Sequence, residues 1–242
     1  MSGHSKWANI KRKKSVADAA KSNVFTKIGR EIAVAVKLSG SDPQSNNRLA
    51  DAIAKAKANN IPNDTITRCV KKAAGELNAV NYENMVYEGY GVGGSAVMVA
   101  CLTDNKNRTV GEIRHVFDKY GAGMGAAGCV SFMFDYKGVI IIERNLSLTE
   151  DIVTEYALEA GADDVITYDD IFEIYSSPTD FSAVRQYFED KKLTVLEAEL
   201  KYVAKSTVSL DAEKQEKFDK MLEKFDESDD VQNVFHNVEI DA

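Results

Sequence analysis

Apolar positions in the first third of the chain recur at helical spacing. Phe25, Ile28, Ile32, Ala35 and Val36 fall three or four residues apart and predict a helix over about 16–38. Ser39-Gly40 closes it and Asp42-Pro43 supplies a turn. A second helix, about 44–60, carries Leu49, Ala52, Ile53 and Ala56, and stops before Pro62, which biases its predecessor away from helix. Asn63 or Asp64 then caps a third helix with Ile66, Val70 and Ala73 inward and Gly75 at its end. Slim apolar stripes on short helices predict a small bundle, giving a helical domain over 1–77.

Beyond residue 77 the period shortens. Segments 82–90 and 95–103 are rich in Val, Tyr and Met and read as strands around the turn Gly91-Val92-Gly93-Gly94. A helix over 108–120, a Gly-rich loop over 121–128 and a strand over 129–136 follow. Residues 137–205 then show their own order: strand 138–143, helix 149–160 with Ser147 as its cap, strands 165–168 and 171–175 joined by Asp169-Asp170, helix 180–191, and strand 195–203. That βαββαβ order is the ferredoxin-like pattern. The tail offers one helix over 211–223, an acidic loop over 226–230 and one alternating strand over 231–238. A lone helix and strand cannot close a core, so the tail is expected to rejoin 78–136. The fold class that follows is α+β and multidomain: the helical bundle 1–77, a central α+β domain of 78–136 plus 206–242, and the ferredoxin-like domain 137–205 inserted into it.

Charge divides the chain differently from hydropathy. The 242 residues carry a net charge of −8, yet residues 1–77 hold 15 Lys+Arg against 6 Asp+Glu, while the remainder holds 15 against 32. Such asymmetry marks a polyanion-binding end on an acidic body. The basic end is densest at its start. No acidic residue precedes Asp18, and Lys6, Lys11, Arg12, Lys13 and Lys14 surround Trp7, the only tryptophan. Cationic side chains neutralise phosphates and a flat indole can stack on a base; equally, Trp7 can anchor the arm to the body, since Trp is usually largely buried. Further candidates on the helices are Lys21, Lys27, Arg30, Arg68, Lys71 and Lys72.

Other chemistry finds little support. Three cysteines, Cys69, Cys101 and Cys129, are widely spaced without a C-x-x-C pair, which argues against a disulfide framework or a zinc site and fits a reducing, cytoplasmic setting. No apolar run approaches a membrane span. The three histidines lie apart from one another and from cysteine. Gly123 to Gly128 matches G-x-G-x-x-G, but it follows a helix and opens a strand, the reverse of a dinucleotide site. It is expected to be a flexible turn that lets backbone approach RNA. No nucleophile elbow or acid–base pair is present. The expectation is a non-enzymatic protein without cofactor, metal, membrane or small-molecule substrate. In the polar run 103–109, Asn107 is expected to cap the following helix, whereas Asn105, Lys106 and Arg108 exceed a cap's needs and are candidates for phosphate or base contact.

Five stretches, GHSKWANIK at 3–11, FTKIGREI at 25–32, YEGYGVGG at 87–94, TDNKNRTVGEIRH at 103–115 and DVQNVFHNVE at 230–239, make the chain resemble the YebC/PmpR family along its full length. The family's mitochondrial relatives are translational activators of cytochrome oxidase. The resemblance implies the same three-domain layout and two functions: a DNA-binding transcriptional regulator, or a ribosome-associated translation factor that relieves stalling. The loop GAGMGAAG departs from the G-N-L-G type of many relatives. The partner expected first is rRNA or tRNA on the ribosome, then duplex DNA, with an acidic protein bound by the basic arm as a third alternative. No helix-turn-helix dimer signature favours DNA.

Overall fold

A computed structural model describes residues 21–75, 81–145 and 147–239. The basic head, with Lys6, Trp7, Lys11, Arg12, Lys13 and Lys14, lies outside the described residues. The chain is α+β and its described residues form two compact units, one holding residues 21–131 with Ser209–His236, the other Phe132–Val208 with residues 237–239.

The first unit begins with three helices, α1 (Lys21–Ser39), α2 (Asn47–Ala58) and α3 (Asn63–Gly75). Their stripes meet in a core of Ile28, Ile32, Ala35, Val36, Leu49, Ala52, Ala56, Ile61 and Ile66. Phe25, expected inward, is 41% exposed. Gly40 takes a φ of 84° and its amide closes on the Val36 carbonyl at 2.8 Å, as a helix-ending glycine does. Asn46, 3% exposed, caps α2 by accepting from the Leu49 amide and also donates to the carbonyls of Ala35 and Gly40, which ties the end of α1 to the start of α2.

The same unit contains an antiparallel sheet of β1 (Glu83–Tyr90), β2 (Ala96–Thr103), β3 (Gly123–Met124) and β8 (Val231–His236), in the order β3-β1-β2-β8. The tail strand therefore pairs with β2, in a register that runs from Val97 opposite His236 to Cys101 opposite Val231. Between the strands come α4 (Lys106–Tyr120) and, from the tail, α7 (Ala212–Asp226). These two helices pack through Phe117 and Phe225, whose rings meet edge-on at 5.2 Å. Burial of Met98, Leu102, Ile113, Phe218 and Met221 completes this core.

The second unit is the inserted βαββαβ module: β4 (Phe134–Glu143), α5 (Glu150–Ala160), β5 (Asp164–Thr167), β6 (Ile171–Ser176), α6 (Phe181–Asp190) and β7 (Val195–Ala204). Its sheet runs β5-β6-β4-β7, all antiparallel, the ferredoxin-like order. Ile140, Ile142, Phe172 and Ile174 face Val153, Ala157, Phe181, Val184 and Phe188 from the helices. Two expectations are corrected here. The strands read at 129–136 and 138–143 are one: Cys129–Val130 is a turn, and β4 runs unbroken through Gly138. Glycine stands there because any side chain would run into Ser176 and Phe181. The cap of α5 is Thr149, not Ser147. Among the described residues no helix is long and apolar enough to cross a membrane.

Candidate nucleic-acid interface

Helix α3 buries only Ile66 completely. Asn63, Ile66, Thr67, Val70, Lys71 and Ala74 recur every three or four residues along one side of it and line an open groove of about 520 Å³. Ile53 and Lys57 of α2, one turn apart, form the opposite wall, and Ser41 and Pro43 of the preceding turn close it. The charged side chains lining the groove are Lys57 and Lys71, both exposed. Arg68 and Lys72 are exposed on the same helix. Arg68 curls back on its own first turn, donating to the Asp64 carbonyl at 3.3 Å and to Thr65 Oγ1 at 3.4 Å.

The cations of α1 and α4 lie in a different setting. Arg30 reaches Asp230, 200 residues later, at 2.5 Å and also donates to the carbonyls of Leu102 and Asp229. Arg108 donates to both Asp230 oxygens, at 3.0 and 2.8 Å, and to Asp104 at 2.9 Å. Thr103 and Thr109 hydroxyls complete the shell at 3.1 and 2.7 Å. Asp230 is 3% exposed. Burial pushes its carboxyl up, but the donors from Arg108, Thr109 and Arg30 outweigh this and hold it below the ordinary Asp value. Lys27 pairs with Asp226 at 3.4 Å. The result is a buried ionic node that ties α1, β2 and α4 to the segment preceding β8.

Asn105, and not Asn107, caps α4, its side chain accepting from the Arg108 amide at 3.1 Å. The reason is that Thr103 Oγ1 already holds the Asn105 amide at 2.9 Å, which fixes the turn two residues earlier than the sequence suggested. Lys106 pairs with Glu83 at 2.6 Å, both half-exposed. Thus Asn105 and Arg108 serve the fold, and Lys106 has a surface partner of little energetic weight. Lys21 begins α1.

The Gly-rich loop is an ordered turn organised by Glu88 of β1. This carboxylate, 7% exposed, accepts from the amides of Gly128, Val130 and Ser131 at 2.8, 3.0 and 2.8 Å. Burial raises its pKa, but the backbone donors prevail and leave it below the ordinary Glu value. Those amides point at a protein carboxylate, so the loop does not offer them to a pyrophosphate. Gly123 and Gly128 have φ of 109° and 90°, which only glycine adopts cheaply.

Sequence reasoning placed Lys71 in the candidate set and missed Lys57, Asn63 and Thr67. The signal available was the i, i+4 spacing of Ile53 with Lys57 beside the stripe of α3. Asp230 and Glu88 left no such signal, because each is defined by partners far along the chain.

The chain matches the model described as "TACO1/YebC protein N-terminal domain" over residues 5–76, and the one described as "TACO1/YebC second and third domain" over residues 82–238. It is 54% identical over 238 residues to a "Probable transcriptional regulatory protein" of Acetivibrio thermocellus, covering 98% of each chain. A protein of the same description from Clostridium botulinum is 54% identical over 239 residues, covering 99% of this chain and 97% of the relative. A crystal structure of a conserved hypothetical protein from Aquifex aeolicus superposes with a TM-score of 0.80 at 42% identity, over 92% of each chain.

Proposed function

The chain belongs to the TACO1/YebC family, and we propose that it is a non-enzymatic, nucleic-acid-binding regulator of gene expression whose partner is the ribosome, contacted through rRNA or tRNA, where it relieves stalled translation. The observation that carries this reading is the division of charge: 15 Lys+Arg against 6 Asp+Glu over residues 1–77, and 15 against 32 over the rest. A basic end attracts phosphate while an acidic body is repelled by it. A long duplex is a continuous polyanion that would meet both. A ribosomal cleft presents RNA on one side and protein on another, which suits a molecule of divided charge. The contacts are assigned to the basic head (Lys6, Trp7, Lys11, Arg12, Lys13, Lys14) and to the exposed cations of α3.

Duplex DNA is the second reading, favoured by the relatives' description as probable transcriptional regulatory proteins. Co-sedimentation with ribosomes across a salt series, with promoter and scrambled DNA measured alongside, separates the two. Ribosome binding is expected to persist near physiological salt and DNA binding to be weak and indifferent to sequence. Replacing Lys11, Arg12, Lys13 and Lys14 with Ala is expected to flatten the salt dependence. Tight, sequence-selective promoter binding by a protein that ignores ribosomes would make the transcriptional reading the right one.

A further inference from the structure

We propose that the groove between α2 and α3 is a pocket for a single unpaired nucleotide, with the base against Ile53 and Val70, its polar edge toward Asn63 and Thr67, and the flanking phosphates on Lys57 and Lys71. The inference rests on the nucleic-acid reading above and gives it a specific site. Three observations carry it. First, the groove is open along one side and about 520 Å³, room enough for a base. An intact duplex keeps its bases stacked inside and has nothing to insert, whereas a single strand can splay one out. Second, the charge is of one sign. Among the described residues no carboxylate lines the groove, and its charged groups are Lys57 and Lys71. Third, the lining mixes aliphatic with polar side chains along a single stripe of α3. The apolar face of a docked peptide helix would cover Asn63 and Thr67 without giving them partners, which is costly. A base carries donors and acceptors on its edge and an apolar face, and meets both kinds of residue.

The test uses the full chain with Ile and Val methyl groups labelled for NMR. The probes are pentauridylate, pentaadenylate, a short blunt RNA duplex and an acidic amphipathic peptide. The expected result is saturable shifts of the Ile53 and Val70 methyls with the single strands and none with the duplex. Thr67→Ala, at an exposed position, and Val70→Asp are each expected to weaken single-strand binding, the latter by about tenfold, because it sets a carboxylate beside the flanking phosphates. Lys57→Ala and Lys71→Ala should each lower the salt slope for single strands by about 0.7. Silent methyls with single-strand binding intact would overturn the pocket and leave the proposed function standing. Absence of binding to any nucleic acid or ribosome would overturn both. Shifts produced by the peptide alone would make the groove a protein-docking site and overturn the nucleotide assignment.

Discussion

Two sets of cations in the helical region look alike in sequence and differ in what their charge does. Lys27 and Arg30 on α1 are 14% and 15% exposed, with their charges met by Asp226 and Asp230. Arg68 and Lys71 on α3 are exposed, and the contacts of Arg68 are to neutral oxygens of its own helix. A count of Lys and Arg therefore overstates the charge that α1 can offer a polyanion and describes α3 fairly. The first set was recruited to hold the helices to the central sheet. The second remains available to solvent and to a partner.

The comparison breaks most visibly at Asp230. Asp230→Ala leaves Arg30 and Arg108 facing one another without their shared anion. Removing one partner of a fully buried ion pair costs about 3–5 kcal/mol, and the loss here is expected to fall below that range, because Arg108 is 43% exposed and keeps Asp104. Amides of α1 and β2 are expected to lose hydrogen-exchange protection, while those of β4 and β6 in the inserted module, whose core of Ile140, Phe172 and Ile174 involves none of these groups, keep theirs. Equal loss of protection in both would show that the node is not local to the first unit.

Acid provides a graded version of the same test. Asp230 and Glu88 both have folded pKa values below their ordinary ones. Each therefore adds stability that is fully present above the ordinary carboxylate range, about 4, and is lost as pH falls through the depressed folded value. Denaturation midpoints are expected to be flat from neutral pH down to about 5 and to fall below that. In Glu88→Gln the acid-side fall should be shallower, because a group with no proton to bind adds no slope. An unchanged slope would mean that the amides of Gly128, Val130 and Ser131 do not stabilise the charge.

These two carboxylates also mark where the sequence stopped being informative. Helices α1, α2 and α3 were legible because Ile28, Ile32, Leu49, Ala52 and Ile66 repeat at helical spacing, a local signal that packing then used. The βαββαβ order was legible for the same reason. The break between the strands at 129–136 and 138–143 misled, because the role of Gly138, clearance for Ser176 and Phe181 inside one strand, exists only once the strand and helix α6 are packed. Asp230 stood at the end of an acidic run read as a loop, and Glu88 inside a segment read simply as a strand. Their meaning comes from donors 122 and 40 residues away, at Arg108 and Gly128. Of the candidate site, the charge division and Lys71 were visible in advance, whereas the pairing of Arg30 and Arg108 with Asp230 was not.

The smallest expected change in stability, and the sharpest contrast, comes from α3. Arg68→Ala with Lys71→Ala removes two exposed cations, neither of them in an ion pair among the described residues. Substitutions of that kind usually stay within about 0.5 kcal/mol. Binding should respond differently, because the free energy of a phosphate contact resides in counterion release and not in the fold. If both cations meet phosphates, the slope of log K against log salt should fall by about 1.4 for single strands and about 1.8 for duplex, two contacts at roughly 0.7 and 0.9 each. Arg30→Ala is the control with the opposite profile: it should lower stability and leave the salt slope unchanged, since its guanidinium is already neutralised by Asp230. A slope that drops for Arg30→Ala and not for the α3 pair would invert the comparison and move the interface from α3 to α1.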